Sequence, residues 1–448
     1  MFDIAFVFTQ FLQGLWPLTS KLLVFSPVLN PIHAISALAF TVLFPLAVLV
    51  SAFYLIMAIA SFFSSPPKKQ AAFDEKKAPM ISIHLPTRNE LAVLLCAKSC
   101  MAFDYPKNRF EILIGDDSSN PAVSKKLKEF EKKFSKQVRV LKRETNAGFK
   151  AGNLNNMLAN SSGEIIVVFD SDFAPAPDFL KRIIAPFQQD RTLSAVQARW
   201  VPTNANQNIV SVAGASILYL YHQLVLPFLS QNMGTITLCG SAEAIRKKDL
   251  DALGGWKMGS LTEDVEFSYR LFGENKRILY LSDLTCECEV PFRLKDLSRQ
   301  QMRWAYGCIN ALQLHAVSIA VSSKTDSKKK WAILINASGY LFTVLLLGLM
   351  VLGTLSSFSN PTYPTYENVA FLLKSTAINM LLTTGFLFAI LIAFLANHGF
   401  KDAIRFLAAS FSVGLIVVFY VSLGIFKALA GQPMDWFLLS KNRNKIDA

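Results

Sequence analysis

The sequence predicts a Rossmann-like α/β domain combined with transmembrane and interface helices. The chain has 448 residues, of which 52% are hydrophobic, and its mean hydropathy is +0.35. It is therefore too apolar for an ordinary soluble protein and too charged for one that lies wholly in a membrane. Short apolar runs alternate with amphipathic segments over residues 80–202, and long uncharged segments lie on either side.

The N-terminal region, residues 1–66, is predicted to hold an interface helix followed by one membrane span. Residues 35–63 carry no charged side chain and are long enough to cross a bilayer. Residues 4–31 are apolar but interrupted by glutamine, proline and lysine, which favours a helix lying in the membrane interface. A polar linker, residues 67–79, follows.

Residues 80–290 are predicted to form the α/β domain. The strands expected from apolar runs lie at 81–85, 110–115, 138–141 and 165–169, and helices are expected at 90–103, 122–134 and 148–159. The run at 165–169 is continuously apolar, as in a buried parallel strand. Such alternation predicts a doubly wound sheet with its ligand site at the carboxyl ends of the strands.

Polar clusters follow three of the predicted strands. They lie at residues 86–90, 116–119 and 170–172. A single acidic residue such as Asp117 could simply cap a helix. Three clusters at one edge of a sheet favour a functional site instead.

The cluster at 170–172 has the composition of a divalent-metal site. In an extended chain Asp170 and Asp172 would point to the same side, roughly 6.5 Å apart. Carboxylate oxygens are the ligands that Mg²⁺ or Mn²⁺ prefers. A cation held there would neutralise a diphosphate as it leaves.

Asp264 is the candidate general base. It would take the proton from the hydroxyl group that acts as the nucleophile. The alternative interpretation is that Thr262 caps a helix and that Glu263 and Asp264 favour its positive end. The two interpretations are compatible, because a base at a helix start is well positioned. One base and one leaving-group site imply a single displacement, and hence inversion at the reacting carbon.

A helix predicted over residues 294–314 places Gln300, Arg303 and Trp304 on one face. An arginine fork suits a diphosphate, and an indole suits stacking on a sugar ring. The alternative is an amphipathic interface helix with Trp304 at headgroup level. The pentad at 300–304 does not by itself decide between the two.

Apolar segments at 331–358, 369–396 and 404–430 predict further membrane helices. The formal net charge is +13, but the basic residues gather beside apolar segments, which indicates anionic lipid headgroups rather than nucleic acid. We expect the segment at 404–430 to be partly re-entrant or interfacial, so that the basic tail stays cytosolic. The apolar segment at 209–229 lies between Asp172 and Asp264, so it is expected to be buried or surface-lying rather than a crossing.

The ordered set of motifs resembles one known family. Asp117, the run 170–172, the run 262–264 and the pentad 300–304 together resemble the signature of processive, membrane-integrated family 2 glycosyltransferases, the relatives of cellulose, hyaluronan, chitin and mannan synthases. The runs 150–155 and 238–241 resemble the donor-pocket and acceptor-side elements of that family, and 289–291 is similar to the plant mannan synthase branch. The resemblance implies a GT-A type fold over 80–290.

The resemblance also implies roles for individual residues. Nucleotide-sugar binding is implied for Thr87, Glu90, Asp116, Asp117, Lys150 and Asp170. Asp170 and Asp172 would hold Mg²⁺ or Mn²⁺. Catalysis is implied for Glu263, Asp264, Gln300, Arg303 and Trp304, and acceptor binding for Cys239, Gly240, Ser241 and Trp304. Trp436 and Lys441 would belong to a gating segment, although Leu439 replaces the threonine that the family places there.

The predicted function is therefore inverting transfer from a nucleoside-diphosphate sugar to a growing β-linked glycan. UDP-glucose is the first expected donor, with GDP-mannose and UDP-N-acetylglucosamine open. Export through a channel of the protein's own is expected, with the catalytic domain facing the cytosol of a plasma, inner or Golgi-like membrane. Two alternatives stay open: a glycolipid-forming transferase with a lipid acceptor, and a non-catalytic scaffold or translocation subunit. Membrane lipids are expected partners, nucleic acid is not, and oligomeric state stays open.

The remaining regions complete the predicted organisation. Residues 291–330 would form an amphipathic interface helix and basic linker, 331–430 the C-terminal membrane helices, and 431–448 a cytosolic tail. The 6 cysteines have no zinc-ligand spacing and are expected to be free thiols.

Overall fold

The structure is a computed structural model that describes residues 26–63, 72–359, 366–437 and 440. Residues 4–25 of the predicted interface helix at 4–31 lie outside these residues, as do Leu439 and Lys441. The chain divides into two compact units. One contains the described residues of Met1–Ile56 and Leu341–Phe388, and the other those of Met57–Tyr340 and Ala389–Ala448.

The second unit is built on a seven-stranded mixed sheet in the order β3-β2-β1-β4-β6-β5-β7. β1, β2 and β4 are buried along most of their length, as expected for strands covered on both faces. The strands are β1 (Ile81–Thr87), β2 (Phe110–Asp116), β3 (Val138–Lys142), β4 (Ile165–Val168), β5 (Leu193–Pro202), β6 (Glu243–Arg246) and β7 (Arg277–Cys288).

The first four strands confirm the predicted βαβα alternation. β1 pairs in parallel with both β2 and β4, and β2 pairs in parallel with β3. The later part of the sheet was not predicted. There β6 runs antiparallel to both β4 and β5, which makes the sheet mixed. The mixed sheet is of the predicted GT-A type. It still brings the ends of β1, β2 and β4 to one edge.

Helices between the strands cover the sheet. Apolar side chains of the helices meet those of the strands, as with Leu154 and Met157, which are fully or almost fully buried. The helices are α2 (Val93–Met101), α3 (Pro121–Lys133), α4 (Phe149–Ala159), α5 (Phe179–Gln189), α6 (Ile209–Tyr219), α7 (Lys247–Ala252) and α8 (Glu263–Gly273). α6 continues through π-helical turns as far as Met233.

The helix that contains the pentad, α9 (Leu294–Val321), packs against α8 and against a late apolar helix, α14 (Leu415–Leu429). A side chain at Gly424 would collide with the backbone of Met302, so the glycine lets α14 approach α9 closely. The first half of α9 is therefore enclosed by protein. Exposed apolar side chains occur near its end, at Val317 and Val321.

The first unit consists of parts of long apolar helices. Ala47, Phe342 and Leu349 form its buried cluster. The helices are α1 (Ser26–Phe62), α10 (Ser327–Ser359), α11 (Tyr366–Thr383) and α12 (Gly385–Leu395), and several of them extend beyond the unit. Within the described residues α1 runs without interruption from Ser26 to Phe62 and includes Pro31, so the helix does not end between the predicted interface segment and the predicted span. A proline removes only one N–H donor and need not end an apolar helix.

Four described helices are long and apolar enough to cross a membrane, and a bent pair would make a fifth. They are Val28–Phe62, Ile209–Met233, Ser327–Ser359 and Phe400–Leu429, with Leu373–Thr383 and Gly385–Leu395 bent by 51°. Phe400–Leu429, which includes α13 (Ala403–Ala409), is one continuous helix. It contains no bend of the kind found at Thr384, where Gly385 packs against the backbone of Ser51. The partly re-entrant or interfacial position that we expect for residues 404–430 stays a prediction.

Candidate active site

A cleft opens at the carboxyl ends of β1, β2 and β4, where the polar clusters lie. It brings together residues that are far apart in sequence, from Thr87 to Trp436. Predicted site residues that line it are Thr87, Glu90, Asp117, Lys150, Asp170, Asp172, Cys239, Gly240, Glu263, Asp264, Gln300, Arg303, Trp304 and Trp436. Asp172 and Asp264 thus share one cleft, and the apolar segment between them does not separate them.

Lys150 joins three parts of the cleft. Its Nζ lies 2.8 Å from Asp170 Oδ1 and 3.2 Å from Glu263 Oε1, and it donates to the carbonyl oxygen of Gly240 at 2.7 Å. Burial alone would lower the pKa of this ammonium group, but Asp170 and Glu263 more than offset it and raise the pKa above its ordinary value. Lys150 is therefore a fixed positive charge at the centre of the cleft.

Asp264 is a carboxyl group that can change protonation near neutral pH. Burial, and then the neighbouring Glu263 carboxylate, raise the pKa of Asp264 to about 7, although Lys150 opposes the rise. Asp264 is the second residue of α8. Thr262 occupies the N-cap position of α8, as the capping interpretation predicts. Its side chain, however, makes no capping hydrogen bond.

The loop at 239–241 brings its backbone close to Asp264. Gly240 has φ of +82°, and a Cβ there would lie 3.1 Å from Asp264 Oδ2 and 3.3 Å from Lys150 Nζ. Its N–H donates to Glu243 Oε2 at 2.9 Å. Both the backbone conformation and the close approach require glycine at this position. Burial, with a contribution from Asp264, raises the pKa of Glu243 to about 8.

Asp170 and Asp172 both line the cleft, but not as an extended pair. The chain turns immediately after Asp170, whose carbonyl accepts from the N–H of Phe173 at 3.1 Å. Asp172 Oδ2 accepts from the N–H of Glu289 at 3.2 Å. The predicted extended geometry is therefore wrong, because the strand ends at Val168.

The two carboxylates fit a metal that is shared with a substrate. Among the described residues no group of three or more His, Cys, Asp or Glu side chains could enclose a cation. Mg²⁺ commonly binds one or two carboxylates and completes its shell with substrate phosphates and water. Asp170, with a third of its side chain exposed, suits that arrangement.

Thr87, Glu90 and Asp117 line the part of the cleft next to β1 and β2, which we call the nucleotide end because nucleotide binding is predicted there. The hydroxyl of Thr87 donates to the carbonyl of Glu90 at 3.0 Å, and Ser171 donates to the Glu90 carboxylate. Arg143 donates two hydrogen bonds to the Asp117 carboxylate. Its Nε donates to Oδ1 at 2.7 Å and its Nη2 donates to Oδ2. These contacts fix the polar groups before any ligand binds.

The face of α9 that was predicted from helical spacing does meet the cleft. Gln300, Arg303 and Trp304 all line it, and Arg303 Nη1 donates to the carbonyl of Leu261 at 2.9 Å. Trp436 from the tail lies over the Arg303 guanidinium. The face therefore points to the cleft and not to an open membrane surface.

Two of the described predicted site residues, Asp116 and Ser241, do not line the cleft. Asp116 is buried, accepts from the N–H of Ser118 and pairs with Lys142, so it shapes the turn after β2. Ser241 is fully buried and accepts from the N–H of Asp170 at 2.9 Å. Lys441 lies outside the described residues.

Several residues of the cleft were not predicted individually. Arg88 lies inside the cluster at 86–90 that the sequence had singled out, so its position was a usable signal. Trp200 lies near the end of β5, a strand that was not predicted, and Phe437 belongs to the tail. Arg143 lies behind the cleft, and no motif identifies its contact with Asp117.

Comparison with known proteins decides the family. The family model described as "Glycosyltransferase like family 2" matches residues 78–307, which is more than half of the chain. The chain belongs to this family. The predicted recognition is thereby confirmed, and the predicted enzyme class agrees with it.

Curated relatives of this family 2 chain include glucomannan 4-beta-mannosyltransferases. It is 28% identical over 263 residues to a probable glucomannan 4-beta-mannosyltransferase 1 of Arabidopsis thaliana, covering 57% of this chain and 48% of that protein. It is 30% identical over 265 residues to glucomannan 4-beta-mannosyltransferase 7 of the same organism, covering 57% and 47%. The chain thus spans about half the length of the curated relatives it matches.

Among solved structures, a mannosyltransferase from Pyrobaculum calidifontis, determined in complex with GDP-Man and Mn2+, has the same fold. The TM-score is 0.58 at 19% identity, covering 83% of this chain and 99% of that one. At this identity the likeness concerns the fold alone. It agrees with the GT-A type fold expected from the sequence.

Proposed function

We propose that this family 2 chain is a membrane-associated, inverting glycosyltransferase that extends a β-linked polysaccharide from a nucleoside-diphosphate sugar. The observation that supports this best is the meeting of Asp264, Lys150 and Arg303 in one cleft. The cleft combines the Asp264 carboxyl group, whose pKa is raised to about 7, with the cationic groups of Lys150 and Arg303, which suit a diphosphate. The glucomannan mannosyltransferase relatives make GDP-mannose the first donor to test, ahead of UDP-glucose.

In the proposed reaction Asp264 accepts the proton of the acceptor hydroxyl as that oxygen bonds to the anomeric carbon. The bond from that carbon to the diphosphate breaks, and the diphosphate leaves on the opposite side, so the configuration inverts. Gln300 and Arg303 hold the departing diphosphate, and Trp304 supports the acceptor sugar. Gly240 allows the acceptor loop to lie against the base.

Asp170 and Asp172 would hold Mg²⁺ or Mn²⁺, which supplies positive charge for the leaving diphosphate. We expect Asp170→Ala to abolish metal-dependent binding of the nucleotide. Equal binding of GDP or UDP with and without the cation would contradict this assignment. Calorimetric titration of the nucleotide, with and without Mn²⁺, measures it directly.

The long apolar helices suggest membrane association. We also propose that the active site lies on the cytosolic side of the membrane. Nucleotide release by the purified protein, with GDP-mannose, UDP-glucose and UDP-N-acetylglucosamine as donors, tests the activity. Product size distinguishes a polymer from short glycolipids. Glycolipids alone would replace the polysaccharide proposal by a lipid-directed one, and no release with any donor would favour a non-catalytic scaffold.

A further inference from the structure

The nucleotide end of the cleft contains a guanidinium that the proposed reaction does not use. Arg88 follows β1 directly and lines the cleft beside Glu90 and Asp117. Its Nε is shielded from solvent, yet within the described part of the chain it has no hydrogen-bond acceptor. Buried polar groups in native proteins are nearly always paired. An unpaired one at the wall of a ligand cleft therefore indicates a contact that the ligand supplies.

The turn that presents Arg88 is held rigidly. Asn89 has φ of +56°, a left-handed conformation that asparagine adopts more readily than most residues. Its N–H donates to Ser118 Oγ at 2.8 Å, and its side-chain amide donates to Ser119 Oγ at 3.0 Å. The N–H of Asn120 donates back to Asn89 Oδ1 at 2.9 Å. Arg88 thus extends from a loop that is fastened to the loop after β2, which lowers the entropic cost of using it for binding.

Asp117 lines the same cleft and adds acceptors. Arg143 already contacts both of its oxygens, and Arg143 also donates to the carbonyls of Ala147 and Phe149. These contacts keep the Arg143 fork from turning toward a ligand. A carboxylate has about four acceptor positions, so Asp117 retains capacity for two ligand N–H groups. The cleft wall therefore holds Arg88, whose Nε has no acceptor among the described residues, and Asp117, whose carboxylate can accept further hydrogen bonds.

We propose that Arg88 and Asp117 read the nucleobase of the donor and favour guanine over uracil. This inference rests on the proposed function. An arginine fork makes two hydrogen bonds to O6 and N7 of guanine, and a carboxylate can accept from N1–H and the amino group. Uracil offers a single carbonyl to the fork on that side and a single N–H to the carboxylate. Guanine thus gains one hydrogen bond at each of the two side chains.

The test is calorimetric binding of GDP and UDP to the purified full chain in the presence of Mn²⁺. We expect the native protein to bind GDP about tenfold or more tightly than UDP. Arg88→Gln should remove most of that preference by weakening GDP and leaving UDP nearly unchanged. Arg88→Lys should behave like Arg88→Gln, because it keeps the charge and loses the fork.

Arg191→Gln is the matched control. Arg191 is exposed and precedes β5, which runs in the same direction as β4, so it lies at the edge of the sheet opposite the cleft. It should leave both affinities unchanged. Because the GDP-to-UDP ratio is measured within each variant, partial unfolding does not alter it.

The outcomes separate the two levels of the proposal. Equal affinity of the native protein for GDP and UDP, or an equal loss of both in Arg88→Gln, would overturn base reading while leaving the glycosyltransferase proposal intact. The second result would indicate that Arg88 contacts the diphosphate instead. Failure of both nucleotides to bind the native protein would count against the proposed function itself.

Discussion

The indole of Trp436 lies over the guanidinium of Arg303, with Cζ 4.1 Å from the ring centroid. The neighbouring Phe437 lies over Arg299 at 4.6 Å, and Met434 packs with Leu261 and Met302. The tail therefore folds over the mouth of the cleft and contacts the residue proposed to hold the diphosphate.

Trp436→Ala is expected to raise the share of donor lost to hydrolysis severalfold. A cation–π contact of this kind contributes about 0.5–2 kcal/mol, and its loss opens the mouth of the cleft to water. The measurement is nucleotide release without acceptor, divided by release with acceptor. Trp436→Phe keeps an aromatic face and should give an intermediate ratio. The same ratio in Trp436→Ala and in the native protein would show that the tail does not shield the cleft.

The pKa of Asp264 predicts how activity depends on pH. A general base must be ionised, and burial with the Glu263 carboxylate raises the pKa of Asp264 to about 7. We therefore expect kcat/KM at saturating metal to fall about tenfold per pH unit below pH 7 and to level off above it. Profiles with Mg²⁺ and with Mn²⁺ should agree in shape. A profile that is flat between pH 5 and 8 would remove Asp264 from the role of base.

Asp264→Asn separates the base from the fold. Its activity is expected to fall by about 10²-fold or more, because proton transfer contributes roughly 10²–10⁴-fold. A folded-state pKa that is raised means that the folded protein binds more protons than the unfolded chain, so the carboxyl group destabilises the fold as pH rises toward 7. The amide removes this cost, and the melting temperature at pH 8 should not fall. Native turnover in this variant would refute the assignment.

Lys150 should tune the base as well as contact Asp170. Because its positive charge opposes the rise in the pKa of Asp264, Lys150→Met is expected to move the midpoint of the pH profile upward by about 1 or more. The residual activity of the variant, followed from pH 6 to 9, measures this midpoint. Lys181→Met, which removes an amine paired with exposed Asp104, is the control. An unchanged midpoint in Lys150→Met would mean that the two charges do not interact in the active enzyme.

The sequence was sufficient to predict the parts of the site that depend on local pattern. The acids after β1, β2 and β4 follow apolar runs, and helical spacing placed Gln300, Arg303 and Trp304 on one face. β6 was not predicted, because it has only four residues, Glu243–Arg246, and is fixed by its neighbours in the sheet. Contacts between distant residues also left no local signal. Two examples are the hydrogen bonds from Arg143 to Asp117 and the stacking of Trp436 on Arg303.

Gly240 gives the sharpest test of the geometry around the base. A methyl group at this position would lie 3.1 Å from Asp264 Oδ2, and the backbone φ of +82° disfavours any side chain. Gly240→Ala is therefore expected to lower kcat by about tenfold or more, by displacing the base, while the affinity for nucleotide stays near its native value. Measured kcat and calorimetric nucleotide affinity together check this.

Gly254→Ala is the matched control, because it separates backbone strain from intrusion into the cleft. Gly254 has nearly the same φ, +81°, and a Cβ there would meet nothing within 4 Å. Both variants should lose a similar stability, about 1–2 kcal/mol from the left-handed conformation. Only Gly240→Ala should lose turnover, since only there does the added methyl group reach Asp264. Equal loss of kcat in the two variants would mean that strain, and not the position of the base, limits the reaction.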